Sequence, residues 1–590
     1  MYKKILLRGS AVLACSTFSL GTALTATAQS AVQTAAPTTA QTSAPSGVNL
    51  KAPPAPGPVG RAAVHLPGEP DEPAAGAWGY NPQTGKFKDP AMTPDTFGAM
   101  PFDGSLPYLD QNQYLKNTKV EAFYPWVAST GHSWQAIFDY HGHRYMYDYY
   151  RWIYKIYDIT DPYHVTRIAE QELNSKDGTN EFGPFTVKYN KKLNKTIAVQ
   201  CYETPRYGVI ANKYLYPEQV KLIRERKMLR GFRIYEVTGP EWANWKVLSE
   251  TSLDPYHSAQ NAVQEGSGCL DVPAYFGDTY LFVAGAPDDT FANTEYKTYL
   301  YSGAQLAFDI SDPTRPRRLS TWWVPGQRKG EEAAYGKNPR AGNKTSWMGA
   351  RMPLFIPKPV EQGGKYGYAA MGGFGFDVVD ISDPADMHSV AHLDMPVSVT
   401  GTEGDNIDAT QVARTGIVYF SGYPMSEDCH EPYKDIYAID VKEPTQPHII
   451  GTLPRPTPPK DAPFTDFCQR RGSFGPKRSG YTMLQPGTPS QKYLPYAFYN
   501  AGMQMFDVSD PQHPTIAAYF VPKMIDIGDD NTRNEAGGAK MRQFGNPVHG
   551  IFVEWDRNLI WVFANHGFYA ISSPLIGEPK VGLPEGEARN

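Results

Sequence analysis

Along most of this chain the apolar residues fall in short alternating runs, not in helical stripes, and the runs end in a recurring turn. The clearest instance is Met505-Phe506-Asp507-Val508-Ser509-Asp510-Pro511, with the apolar run Thr515 to Val521 behind it. Tyr157-Asp158-Ile159-Thr160-Asp161-Pro162, Phe308-Asp309-Ile310-Ser311-Asp312-Pro313, Val379-Asp380-Ile381-Ser382-Asp383-Pro384 and Ile439-Asp440-Val441-Lys442-Glu443-Pro444 repeat it. Tyr235-Glu236-Val237-Thr238-Gly239-Pro240 and Tyr569-Ala570-Ile571-Ser572-Ser573-Pro574 are worn versions. The turn prolines stand 78, 73, 71, 60, 67 and 63 residues apart, so seven units run head to tail.

Alternation with period two predicts strands whose two faces differ. Asp caps a tight turn with its side chain, and Pro presets the backbone for it. Each unit therefore reads as a small antiparallel sheet that cannot bury both faces alone, and stacking on its neighbours supplies the core. Seven units of about four strands predict an all-β, seven-bladed β-propeller over residues 115–580. At these turns the chain resembles the LVIVD-repeat family of bacterial β-propeller proteins, which implies the architecture and no particular chemistry.

The repeat serves as a ruler. In unit one it predicts strands over Ser133–Tyr140, Arg144–Tyr149, Ile153–Ile159 and Arg167–Leu173. In unit seven it predicts Gly550–Trp555, Leu559–Ala564 and Phe568–Ile571, and then only a short polar tail, 581–590. Lys119 to Tyr124 alternates well and is expected to pair onto unit seven, closing the ring and removing an exposed edge. Short A–B turns and the Asp-Pro turns are expected on one face. The other face is expected to carry nearly all the long loops, and long loops are where binding tends to sit. One of them, Pro217 to Leu229, has the pattern of an amphipathic helix with a basic face.

Lys3 and Lys4, the apolar stretch Ala11 to Leu24 and Ala26-Thr27-Ala28 predict a cleaved signal over residues 1–28. Export to the periplasm or beyond follows. Lipid anchoring at Cys15 is disfavoured, because the apolar stretch before it is short and Arg8 interrupts it. Residues 29–75 are rich in Ala, Thr and Pro and predict a disordered spacer; 76–114 form an N-terminal extension. No later run is long and apolar enough to predict a membrane span. A net charge of −5 argues against a nucleic-acid surface. Cys201, Cys269, Cys429 and Cys468 remain after signal removal, which permits three disulfide connectivities. The ruler puts all four on the loop-bearing face, where Cys201–Cys269 and Cys429–Cys468 are the natural pairs.

Candidate chemistry centres on the axis of the ring. His132 and His549 precede the innermost strands of units one and seven, and His566 lies on the same face of unit seven. Three imidazoles there suit a divalent metal, zinc or copper, or general base and acid. The opposing reading makes them strand-end hydrogen-bonding residues. His141-Gly142-His143 falls on the plain face as a hairpin turn. Arg351, Arg471 and Asp408 also reach toward the axial mouth, with Asp405, Asn406, Arg470, Lys477 and Glu181 near it. Bases facing carboxylates across a funnel suit an anionic or saccharide ligand, while the bland alternative is a solvated ion-pair ring. The expected function is binding of a small-molecule, saccharide or protein ligand at the loop-bearing face. The alternative is an enzyme, a lyase, hydrolase or metal-dependent oxidase, using the histidines, with Arg351, Arg471 or Asp408 orienting substrate. No G-x-S-x-G elbow, phosphate loop or H-E-x-x-H motif occurs.

Overall fold

The computed structural model describes residues 80–81, 86–87, 110–125, 134–150, 153–172, 185–202, 231–253, 269–287, 291, 303–328, 330–331, 349–396, 404–422, 424, 433–470, 473–480, 484–524, 548–564 and 567–584. The expected signal and spacer, the Pro217 to Leu229 helix, His132, His566, Arg471, Glu181 and Cys429 lie outside the described residues.

The chain is all-β and is laid down as successive antiparallel meanders. Strands β1 (Tyr80–Asn81) and β2 (Lys86–Phe87) pair with each other in the N-terminal extension. They are followed by β3 (Tyr114–Lys116) and β4 (Lys119–Pro125). The first meander is β5 (Trp134–Tyr140), β6 (His143–Tyr150), β7 (Ile153–Asp158) and β8 (Thr166–Glu172). The second is β9 (Phe185–Asn190), β10 (Lys195–Tyr202), β11 (Gly231–Glu236) and β12 (Lys246–Ser252). The third is β13 (Cys269–Tyr275), β14 (Tyr280–Gly285), β15 (Ala304–Asp309) and β16 (Arg317–Trp322). In the fourth, β17 (Tyr366–Ala370), β18 (Phe376–Asp380) and β19 (His388–Leu393) are joined by the single bridge Phe355 to Tyr368 in place of a full inner strand. The fifth is β20 (Asn406–Asp408), β21 (Ile417–Ser421), β22 (Ile436–Asp440) and β23 (His448–Thr452). The sixth is β24 (Phe474–Arg478), β25 (Tyr493–Tyr499), β26 (Met503–Asp507) and β27 (Thr515–Val521). The seventh is β28 (Val548–Glu554), β29 (Leu559–Ala564) and β30 (Gly567–Ser572). Tyr499 pairs with Val548, which makes the last two meanders one continuous sheet.

Strand β4 pairs antiparallel with β30, from Lys119 opposite Ser572 to Pro125 opposite Gly567. The sequence pattern did not foresee β3, which pairs with β27 as a fifth strand on the sixth meander. The N-terminal segment thus covers the outer edges of two neighbouring meanders and satisfies backbone groups that would otherwise invite another chain.

The alternation explains the core. In β10, Ala198 packs toward the first meander while Ile197 and Val199 pack toward the third, so both faces of the strand are buried. Among the described residues the apolar side chains form seven clusters, and each joins two meanders that follow one another in sequence or, in one case, the first and the last. That last cluster packs Met146, Tyr157 and Ile159 against Trp561, Phe563 and Phe568.

The Asp-Pro turns have one geometry. Asp380 Oδ1 accepts hydrogen bonds from the Ser382 amide at 2.8 Å and hydroxyl at 2.6 Å, and Asp383 Oδ1 accepts from the Ala385 amide at 2.9 Å. Asp309 and Asp312 bond in the same way to the amides of Ser311 and Thr314. The first Asp stops the strand and the second folds the turn back. At the β5–β6 hairpin of the first meander, on the same side, His141 and Gly142 have φ of 48° and 82°, the left-handed pair of a two-residue turn. His143 there is engaged by Asp158 at 2.7 Å.

The expected plain face has one exception. The link from β24 to β25 is long, and its described part, 484–492, lies against inner strands of several meanders. Lys188 of the second donates to the Leu484 carbonyl at 2.8 Å, Trp555 of the seventh to the Gln485 side chain at 3.1 Å, and Gln411 of the fifth to the Ser490 carbonyl at 2.8 Å.

A buried charge network joins the first and seventh meanders on the Asp-Pro side. Arg144 donates to Glu554 at 2.7 Å, to both Asp556 oxygens at 2.8 and 3.1 Å, and to Asp139 at 2.6 and 2.8 Å. Arg557 bonds Glu554 and reaches back to the carbonyls of Ile159 at 3.0 Å and Thr160 at 2.7 Å. Burial works against the charge of Arg144, but Asp139, Glu554 and Asp556 more than offset it and hold its pKa above the ordinary value.

Two outcomes follow from this packing. Glu554→Gln should lower the unfolding free energy by about 3–5 kcal/mol, because it removes the buried carboxylate that two guanidiniums share, and a denaturation curve with loss under 1 kcal/mol would contradict the role given to the network. Cys201 and Cys269 are bonded, 5.0 Å apart at Cα, and tie the second meander to the third across 68 residues. Replacing both by Ser should cost about 2–4 kcal/mol in the same measurement.

Candidate functional site

The ends of the inner strands remote from the Asp-Pro turns carry a concentrated set of polar side chains. The residues leading into β20 supply the centre. Asp405 is about 1% exposed. Arg478, at the end of β24, places Nε 3.2 Å from Asp405 Oδ2, and Arg351, just before the short inner bridge of the fourth meander, places Nη1 3.6 Å from Oδ1. Burial pushes the Asp405 pKa up, but the charges of Arg478, Arg351 and Lys477 outweigh it and the carboxyl is held below its usual range. Three cations drawn from two flanking meanders therefore surround one carboxylate of the meander between them.

Strand alternation turns the next residue, Asn406, toward the sixth meander. Its amide nitrogen donates to Tyr496 Oη at 2.6 Å and to Ser479 Oγ at 3.4 Å, and Tyr496 Oη is also 3.0 Å from Ser421 Oγ. These bonds orient the amide and leave Asn406 Oδ1 buried with no partner among the described residues. Burial raises the Tyr496 pKa, so its phenol stays neutral as part of this relay.

At the join of the sixth and seventh meanders, Lys477 Nζ lies 5.9 Å from the centre of the Tyr499 ring. The His549 ring meets that ring edge-on, 5.5 Å away at 85°. Tyr499 has φ of 45°, a left-handed conformation that a bulky side chain adopts only when its surroundings dictate it. The strained residue sets its ring between the lysine and the histidine.

Of the residues singled out from sequence, Arg351, Asp405, Asn406, Lys477 and His549 sit at this end, and Arg351 is brought to Asp405. Asp408 does different work. Its Oδ1 accepts from the Thr410 amide at 2.9 Å and hydroxyl at 2.5 Å, which caps the turn after β20 toward the Asp-Pro side. Arg470 is a bracket: it donates to the carbonyls of Asn500 at 3.1 Å and Pro522 at 2.6 Å, and burial lowers its pKa to about 10. Arg478, Tyr496 and Tyr499 gave no sequence signal, since each reads as an ordinary strand residue. Among the described residues no group of three or more His, Cys, Asp or Glu is placed to hold a metal. Cys468 is disulfide-bonded, to a residue outside the described ones.

A second buried charge, in the fourth meander, is structural. His392 lies between Asp377 at 3.0 Å and Asp394 at 3.2 Å. Burial alone would depress its pKa, but the two carboxylates raise it to about 10.

An LVIVD-repeat family model matches residues 360–394, which spans β17, β18, β19 and the Asp380–Pro384 turn. The chain thus contains an LVIVD repeat. A search of curated proteins found no match. Solved structures with similar outlines include Sqt1 from Chaetomium thermophilum, 8% identical, covering 78% of this chain and 100% of that one at a TM-score of 0.35. The β-propeller domain of Cps50 (Swd1) from Myceliophteria thermophila is 8% identical, covering 77% and 99% at a TM-score of 0.39. A functionally unknown protein from Desulfotomaculum acetoxidans is 11% identical, covering 68% and 87% at 0.32.

The raised pKa of His392 makes a testable contribution to stability. A folded pKa of about 10 against an ordinary 6.5 means stabilisation fully present below pH 6.5 and lost as pH rises toward 10. The stability difference between the wild type and His392→Gln, from denaturation at a series of pH values, should shrink steadily across that window. A difference independent of pH would show that His392 is held neutral.

Proposed function

We propose that the chain is an exported seven-bladed β-propeller that binds a small ligand or a partner at the loop-bearing end of its axis. The succession of meanders, the cluster packing the first against the seventh and the pairing of β4 with β30 support a closed ring. The Cys201–Cys269 disulfide and the leader pattern of residues 1–28 support export to an oxidising compartment. Among the described residues no helix is long and apolar enough to cross a membrane.

One observation carries the binding reading: Asp405 is surrounded by Arg351, Lys477 and Arg478 at the end of the inner strands from which the long loops spring. Such a site attracts anions and carries a built-in carboxylate to accept from their donors. The Lys477–Tyr499–His549 stack beside it adds an aromatic wall.

Thermal-shift screening of the purified protein against small acids, sugars and sugar acids, paired with metal analysis, tests this. The expected result is metal-free protein with at least one compound that raises Tm, an increase that Lys477→Gln reduces by half or more. Stoichiometric zinc or copper that is lost in His549→Ala would overturn it in favour of an enzyme built on His132, His549 and His566.

A further inference from the structure

We infer that the ligand is a polyhydroxylated carboxylate, such as an acidic sugar; this rests on the binding reading above and names its ligand class. Arg351, Lys477 and Arg478 present positive charge around Asp405, which selects for an anionic group. The same place holds buried acceptors. Asn406 Oδ1 has no partner among the described residues, and Asp405 Oδ1 meets Arg351 only at 3.6 Å, beyond hydrogen-bond length. Both residues are about 1% exposed. A buried acceptor without a donor is costly, so a fitting ligand must also bring hydrogen-bond donors.

The segment that crosses the inner strands adds the converse group. Gln485 accepts from Trp555 through Oε1, and this leaves its Nε2 a buried donor with no partner among the described residues. A Cβ on Gly480 would lie 2.4 Å from that nitrogen, which places it two residues beyond Arg478 along the chain. Lys477, Arg478, Ser479 and Gly480 thus connect all of these groups in one short run: the cation over Tyr499, the pair with Asp405, the contact with Asn406 and the approach of Gln485.

Simple ligands match only part of this set. Acetate, chloride or sulfate supplies charge but no donors, and it would lie against Asp405 with nothing to offer the two oxygens. A neutral sugar supplies hydroxyl donors and acceptors but no charge. A hydroxylated carboxylate supplies both, with hydroxyls that give to Asn406 and Asp405, and Gln485 lies along the inner strands beyond them. An amino-acid zwitterion is the other way to combine an anion with donors, but its ammonium would meet one carboxylate, Asp405, among three cations.

Isothermal titration of the wild-type protein at constant ionic strength, with D-glucuronate, D-glucose, acetate and L-glutamate as probes, decides the matter. Glucuronate is expected to bind at least about tenfold more tightly than each of the others. Asn406→Leu, checked for fold by circular dichroism, should bring glucuronate down to the level of acetate. Acetate binding as tightly as glucuronate would overturn the inference, as would glutamate binding more tightly. If none of the four binds while another compound from the screen does, and Lys477→Gln abolishes it, the ligand class is wrong and the binding site stands. If no compound binds at all, both fail.

Discussion

The burial of Arg144 between the first and seventh meanders is the interaction on which the arrangement depends. A meander of this kind has two apolar faces and survives only if both are covered. Among the described residues six of the seven contacts are made by neighbours in sequence, whose connections are far shorter than the chain and close at a smaller entropic cost. The contact between the first and last meanders has no such help, because it joins residues some 400 positions apart, such as Arg144 and Glu554. Apolar packing of Met146 and Tyr157 on Trp561 and Phe568 supplies area there but not register. Arg144 and Arg557 supply register. Their guanidiniums must meet Glu554, Asp139, Asp556 and two backbone carbonyls at once, and a slip in the alignment would leave buried charge uncompensated.

The N-terminal strands reinforce that junction from outside. β4 covers the edge of the seventh meander, and β3 that of the sixth. Glu121 on β4 accepts from Ser572 at 2.6 Å, and Tyr124 donates to the carbonyl of Pro162 in the first meander at 2.9 Å. The segment that precedes the meanders in sequence is thus held by the last two and touches the first. Edges, charge network and apolar cluster all act where the first meander meets the seventh.

The polar end opposite the Asp-Pro turns follows from the same construction. Near the ends of the inner strands, polar side chains from the fourth, fifth and sixth meanders come within reach of one another. Arg351, Asp405 and Arg478 come from three meanders and are separated by 54 and 73 positions (405 − 351 and 478 − 405). Only the stacking of the meanders puts both guanidiniums within 4 Å of Asp405. Low dielectric strengthens their attraction and makes any unmatched acceptor costly, which is why Asn406 Oδ1 is informative where an exposed amide would not be.

The sequence by itself determined the repeat, the strands and the turns. Period-two alternation is local, and an Asp that bonds the amide two residues on needs nothing beyond its own segment. The boundaries of β6, β7, β29 and β30 therefore agree with the pattern to within a residue or two, and the pairing of Cys201 with Cys269 followed from where the pattern placed the strand ends. Tertiary structure alone decided β3, the crossing of 484–492, the Arg144 network and the partners of Asp405. Arg144 and Arg478 read in sequence as polar positions on strands, no different from a solvent-facing lysine. Their roles depend on which side chains arrive from hundreds of residues away, and that depends on how neighbouring meanders stack, not on any local preference. Asp408, close to Asp405 in sequence, read as a site residue, and its structural surroundings show one oxygen capping the turn at Thr410.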